Sequence, residues 1–356
     1  MSHHPEPTSY LDLLRQRTQR EWQAIRAAQV EAARKLALIR EALRTAPVPI
    51  DSEDVSVVIF GSVARGESTI HSDLDWTLLI DGQADPGHAG TARQFAETLA
   101  RLQIPAPNAR GAFGSLAFSH VLIHQIGGED DTNRNLTERM LLFLESVPVH
   151  RRDAYDRVIT GILNRYLANE RPLRKYKVPR FLLNDVVRYW RTMCVDFANK
   201  FRSRAARGWA VRHIKLRLSR KLLFTSGLLA CFGCDEEMLC TQGVEFMNSP
   251  TSLENLVARL QQYVQRTPLD ILAEALYRYG TVDTARTALD AYDAFLALLA
   301  DKECRECLEA LSPAQAPADK RFQDAYALTR SFQESLQQLF FGHPLLNRLT
   351  QKYGVF

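Results

Sequence analysis

The 356-residue chain has no long hydrophobic run; its longest apolar stretch, near Leu222 to Phe232, is too short and too interrupted to span a bilayer. Its start, Met1-Ser2-His3-His4-Pro5, lacks the basic, apolar, small-residue order of a secretion signal. No membrane partner is expected, and a cytoplasmic location is the default. Cysteine is scarce, at six residues. Cys231-Phe-Gly-Cys234 and Cys304-Arg-Glu-Cys307 each have the spacing of half a zinc site. About seventy residues separate the pairs, the first ends an apolar helix, and Asp301 to Leu311 itself reads as helical. Reduced, partly buried thiols are therefore expected, with Cys194 and Cys240 left over. Repeats and low-complexity segments are absent too, and 46% hydrophobic with 24% charged residues is ordinary globular material, long enough for two domains.

Strands are confined to the first half. Ser9 to Ala46 places Leu11, Leu14, Trp22, Ile25, Val30, Leu36, Ile39 and Leu43 at helical spacing and ends at Pro47 and Pro49, which predicts one long helix or two. Thr91 to Leu102 and Asn135 to Glu145 are further helices, the latter capped by Thr132-Asn133. From Ala154 onward every periodic segment is helical: Ala154–Asn169, Arg180–Arg204, Val211–Cys231, Leu253–Val264, Pro268–Tyr279, Val282–Leu299 and Asp319–Phe340. The expected fold class is α+β, with a catalytic core and N-terminal helix over residues 1–150 and an all-α domain over 151–356.

Between those helices lies the informative stretch. Val55 to Phe60 is a β-branched, apolar run that reads as a buried strand, and it stops at Gly61-Ser62, where glycine lets the backbone approach another group closely. After Arg65-Gly66-Glu67 and Ser72, the run Asp73-Leu74-Asp75-Trp76-Thr77-Leu78-Leu79-Ile80 reads as a second strand. Residues i and i+2 of a strand share a face, so Asp73 and Asp75 point the same way and repel unless a cation lies between them. Paired hard oxygen ligands beside amides that cradle phosphate suit Mg²⁺. The chemistry inferred is phosphoryl or nucleotidyl transfer.

The pattern Gly61-Ser62-x-Ala64-Arg65-Gly66-Glu67, then Ser72-Asp73-x-Asp75, resembles the DNA polymerase β-like nucleotidyltransferase superfamily over about 20 residues. The resemblance implies a small mixed-sheet core, with the helical domain completing the nucleotide cleft. It implies that Gly61 and Ser62 hold the triphosphate, that Asp73 and Asp75 bind two Mg²⁺ ions, with Mn²⁺ as a substitute, and that pyrophosphate leaves as a nucleoside monophosphate is transferred. Arg65 either reaches a phosphate or pairs with Glu67. The family supplies a third carboxylate from a later strand, and here the chain departs from it: the expected strand Leu116 to Ile126 holds no acid. Glu129, Asp130 or Asp131, folded back beyond Gly127-Gly128, is one replacement, and His120 or His124 as general base is the other.

Charge is segregated. Arg165 to Lys221 holds 17 Lys and Arg against three acids, a net of +14 in a chain that is +4 overall, and Phe181, Tyr189, Trp190, Phe197, Phe201 and Trp209 are interleaved. The segment is expected to bind triphosphate or oligonucleotide, with Arg188, Arg191, Lys200, Lys215 and Lys221 as the phosphate-binding candidates. The acceptor stays open. The resemblance extends to oligonucleotide synthases of bacterial antiphage defence, to uridylyltransferases of nitrogen regulation and to aminoglycoside adenylyltransferases. An antitoxin-type or catalytically silent nucleotide-binding module is the reading from a different class, and Tyr353 is a candidate for self-modification.

Overall fold

The computed structural model describes residues 9–45, 52–104, 114–168, 177–203, 208–241 and 253–354. In chain order these form α1 (Tyr10–Thr18), α2 (Gln23–Arg44), β1 (Val55–Phe60), α3 (Gly61–Ala64), β2 (Asp75–Ile80), α4 (Gly87–Arg101), β3 (Ser115–Phe118), α5 (Ser119–His124), α6 (Asn133–Leu144), β4 (Ser146–His150), α7 (Arg152–Ala168) and α8 (Arg180–Ser203). There follow α9 (Trp209–Lys215), a π-helical turn (Leu216–Arg220), α10 (Lys221–Phe232), α11 (Glu236–Thr241), α12 (Leu253–Val264), α13 (Pro268–Tyr279), α14 (Val282–Ala300), α15 (Lys302–Ala310), α16 (Lys320–Gly342) and α17 (Pro344–Leu349). The fold is α+β. The chain groups into two compact units that alternate along the sequence: Ala28–Tyr189 with Cys234–Thr267, and Met1–Ala27 with Trp190–Gly233 and Pro268–Phe356.

The first unit contains the sheet, in the order β3-β2-β1-β4. β1 runs antiparallel to β2 and β4, while β2 and β3 are parallel. All six residues of β1 are buried, which is why its sequence does not alternate: it is central and covered on both faces. On one face Val55, Val57, Ile59, Trp76, Leu78 and Ile80 pack with Ile39 of α2 and Phe95 and Leu99 of α4. The rings of Trp76 and Phe95 meet edge to face at 4.7 Å. Burial of side chains this size contributes about 1.5–3 kcal/mol each.

A buried ionic network ties α6, α7 and α8 to the turn before α6. Arg139, 0% exposed, donates to both carboxylate oxygens of Asp131 at 2.8 and 2.9 Å, to Asp185 at 3.1 Å and, through Nε, to the Tyr166 hydroxyl at 3.0 Å. Tyr166 donates to Asp185 at 2.6 Å, and Arg188 reaches Asp131 at 3.1 Å. Burial opposes the charge on Arg139, but its carboxylate and phenol partners raise its pKa nonetheless.

The second unit is helical. α14 packs along α16, with Tyr292 and Phe332 rings 5.5 Å apart, and α10 packs on α13. α1, capped by Ser9, which accepts from the Asp12 amide, lies against α13 and α14. The N-terminal segment is two helices, not one. Gln19 and Trp22 take left-handed backbone angles between them, Trp22 donates its indole N–H to Asp290, and Asp293 accepts the Ile25 amide at 2.9 Å to cap α2.

Two sequence expectations need correction. The strand expected over Leu116–Ile126 ends at Phe118 and continues as α5. Leu122 and Ile126, spaced by four, satisfy a helix's period as well as a strand's, and both are buried. β2 begins at Asp75, so Asp73 lies in the turn that precedes it. β4, which follows α6 directly, is an addition. Among the described residues no helix is long and apolar enough to cross a membrane.

Candidate active site

Register places the glycine bend against Asp75. Phe60, the last residue of β1, pairs with Asp75, the first of β2, so Gly61 leaves the sheet directly beside the Asp75 side chain. Gly61 has φ +70°, and a Cβ there would lie 2.7 Å from Asp75 Oδ2. The glycine is required twice, for its left-handed backbone and for the closeness of the carboxylate. The bend then tightens into the single turn α3, whose hydrogen bonds run from the Arg65 amide to the Gly61 carbonyl at 3.0 Å and from the Glu67 amide to the Ser62 carbonyl at 2.8 Å. Ser62 is half-buried.

Gly61→Ala is expected to cost about 1–2 kcal/mol from the backbone angle alone, with further loss as Asp75 is displaced. A urea-denaturation midpoint equal to that of the unsubstituted protein would contradict this.

Leu74 is fully buried between an exposed Asp73 and a half-buried Asp75, the alternation that turns both acids away from the core. The turn carrying Asp73 is held from below by Lys35 of α2, a residue sequence reasoning missed. Lys35 is 5% exposed and its Nζ donates to the carbonyls of Thr69 at 2.8 Å and Ser72 at 3.1 Å. Burial lowers its pKa, with Glu31 and Asp73 acting in the opposite direction. Ser72 closes the same turn, its hydroxyl accepting the Thr69 amide at 2.9 Å. The one available signal was a lysine on the apolar side of an amphipathic helix. Lys35→Met takes a donor from the Ser72 carbonyl and one from the Thr69 carbonyl, which keeps the Ser72 amide and Ser68 hydroxyl, and is expected to destabilise by about 1–3 kcal/mol. Denaturant titration of the variant checks this, and an unchanged midpoint would show the lysine to be dispensable.

Arg65 is 6% exposed and ion-paired to Glu67 at 2.8 Å and also to Glu145. Of its two expected roles the structure displays the ion pair, and it adds Glu145, which sits where α6 passes into β4 beside the start of the bend, since Ser146 pairs with Phe60. The pair Arg65–Glu145 links the bend after β1 to the start of the edge strand β4.

The candidates for the third carboxylate are dispersed. Glu129 is exposed after Gly128. Asp131 is buried in the Arg139 network, and Gly127 also donates its amide to it at 3.1 Å. Burial would raise its pKa, but Arg139, the Gly127 amide and Arg188 together hold it below the ordinary carboxylate value. Asp131 thus holds helices together, whatever Glu129 does. His120 and His124 are exposed on successive turns of α5, with rings 5.1 Å apart.

The basic candidates separate by their partners. Arg188 is engaged by Asp131, and Lys200 pairs with Asp196 at 2.5 Å. Arg191 and Lys215 are exposed, and Lys221 donates to Gln333. Arg171, Arg174, Lys175, Arg204 and Arg207 lie outside the described residues. Tyr353 is half-buried, with Lys352 Nζ 4.9 Å from its ring centroid. Cys231 and Cys234 are buried thiols, Cys304 and Cys307 lie one turn apart on α15, and no group of three or more metal-ligating side chains occurs among the described residues.

No curated protein and no solved structure matches the chain. Residues 9–105, which run from before α1 past α4 and contain the bend and both acids, match the family model described as Putative nucleotidyltransferase DUF294. The family match and the Gly61-Ser62 and Asp73-x-Asp75 motif therefore agree on the nucleotidyltransferase superfamily for this part of the chain.

Proposed function

We propose that the chain is a magnesium-dependent nucleotidyltransferase that moves a nucleoside monophosphate from a nucleoside triphosphate to an acceptor hydroxyl. The observation that carries this reading is the closeness of Asp75 to the Gly61 bend, because a phosphate received at the bend then lies beside a metal-binding carboxylate. The donor set suits magnesium. Asp73 is exposed and has neither ion pair nor hydrogen bond among the described residues, and Asp75 offers a second hard oxygen. Two carboxylates leave the remaining positions of an octahedron to water and phosphate. Magnesium bound there, or manganese in its place, would neutralise phosphate charge and acidify the attacking hydroxyl.

The roles of the chain's own residues follow. Amides of the bend and the Ser62 hydroxyl would orient the β- and γ-phosphates. Lys35 and Ser72 keep the Asp73 turn in place, and Arg65 with Glu67 and Glu145 braces the loop from its buried side. The acceptor oxygen attacks the α-phosphorus, the bond from that phosphorus to the bridging oxygen breaks, and pyrophosphate departs; the hydroxyl proton passes to solvent or to a nearby carboxylate. An acceptor that is itself a nucleotide, giving a nucleotide signal or oligonucleotide in bacterial defence, is the preferred version.

Incubation with each labelled ribo- and deoxyribonucleoside triphosphate and Mg²⁺ tests both levels. Pyrophosphate with a ladder of oligomers is the expected result. Label on an added protein, on a small molecule or on Tyr353 would replace the acceptor while keeping the chemistry. Nucleotide binding without turnover under all these conditions would make the chain a silent module instead.

A further inference from the structure

One face of α8 combines aromatic side chains with neighbouring cations that no carboxylate among the described residues pairs with. Trp190, Cys194, Phe197 and Phe201 recur at intervals of three and four and so line one side of the helix over about three turns, or roughly 16 Å. Trp190 stacks on Phe224 of α10 at 5.5 Å and Phe197 meets His213 of α9 edge to face at 5.9 Å; both are half-exposed, and Phe201 is 42% exposed. Beside this stripe lie Arg191, Arg217, Lys221 and Arg330. Arg217 donates Nε to His213 Nε2 at 2.9 Å and its guanidinium lies 5.0 Å over the Tyr326 ring. Arg330 covers the same ring at 5.3 Å, and Lys221 donates to Gln333 on α16. No ion pair to an acid is made by any of the four among the described residues, in contrast to Lys200, which Asp196 holds.

The cations are also close to one another. Burial and the charge of Arg217 lower the pKa of Lys221, while Cys194 feels both Lys221 and Arg191. His213 cannot add to this charge, since burial and Arg217 push it down to about 4, and its neutral ring serves to orient Arg217. A cluster of like charges held together without counter-charge is electrostatically unfavourable, and an anion relieves it. The π-helical turn at Leu216–Arg220 lies within the same surface, and such turns recur at binding sites.

We infer that this face is a binding site for single-stranded oligonucleotide, with bases stacked on Trp190, Phe197 and Phe201 and phosphates on Arg191, Arg217, Lys221 and Arg330. Stacking requires bases free of a duplex, and a stripe this long exceeds what one phosphate needs. The inference does not depend on the transfer chemistry, because every residue it uses lies in the helical unit.

The test is fluorescence anisotropy of labelled single-stranded RNA with the full chain, without magnesium and across a salt series. Binding is expected, with a steep loss of affinity as salt rises. In R191Q/R217Q/K221Q the slope of log affinity against log salt is expected to fall by about 2, at roughly 0.7 per lost phosphate contact. Phe201→Ala is expected to weaken binding about tenfold, and Arg286→Gln, which removes an exposed ion pair to Asp283 on α14, to leave it within about twofold. Circular dichroism melts verify folding, and R191Q/F201A, confined to exposed positions, repeats the test if the triple variant does not fold. The inference is overturned if single-stranded RNA does not bind at low salt or if the slope is unchanged in the folded variants. Equal affinity for duplex, or displacement by free ATP at equal nucleotide concentration, would overturn it as well.

Discussion

Replacing Asp73 and Asp75 together by asparagine is expected to cut pyrophosphate release by about 10³-fold or more, equivalent to about 4 kcal/mol of transition-state stabilisation. Asparagine preserves the shape of each side chain but not the charge that, in the proposed mechanism, would hold a divalent cation against phosphate. Asp73 is exposed, and its loss should barely alter folding. Asp75 is half-buried beside Gly61, where an amide fits the space of the carboxylate but withdraws the anion from the bend. The fold should therefore survive while catalysis fails, and a magnesium titration should lose its saturating rise in rate. A folded double variant that still turns over at the original rate would show that these two acids are not the metal ligands.

Arg139→Met is expected to destabilise the chain by about 3–5 kcal/mol, the usual cost of leaving buried charges without their partner. Asp131 and Asp185 would stay buried with most of their compensating charge gone. Urea denaturation measures the loss, and an unchanged midpoint would mean that the network contributes nothing. The same network predicts a pH dependence. Because the folded state holds Asp131 below its ordinary value of 3.8, the unfolded chain takes up a proton first as pH falls. The stabilisation is fully present above 3.8 and is lost as the pH drops through the lower folded value. In Arg139→Met that part of the acid limb should flatten. Asp131→Asn in the Arg139→Met background removes one of the stranded charges and is expected to recover part of the loss.

The sequence made the bend legible because its meaning is local: a β-branched strand, a glycine and two acids flanking a leucine each act within a few residues. The helices after Ala154 were legible for a similar reason, each carrying several turns of amphipathic spacing. The features that stayed hidden depend on partners remote in sequence. β3 was overextended because Leu122 and Ile126 fit either period, and only packing of α5 decides between them. β4 was overlooked because Ser146–His150 is short, contains Pro148 and owes its pairing to β1, some ninety residues earlier. The burial of Lys35 and Arg139 follows from carbonyls and carboxylates that other elements supply. Asp131 was open to a catalytic reading for want of any sign that Arg139 would claim it.

The order of strands has a practical consequence. The matched region ends at residue 105, yet β1 draws its outer neighbour from Ser146–His150 and β2 draws its own from Ser115–Phe118. A fragment cut at that boundary would keep α2 and α4 on one face of a two-stranded hairpin, but with hydrogen-bonding groups unclaimed on both of its edges and nothing to cover the opposite face, against which α7 packs. Such an excised piece should aggregate rather than fold, so any minimal folded fragment containing the bend must extend at least through α7.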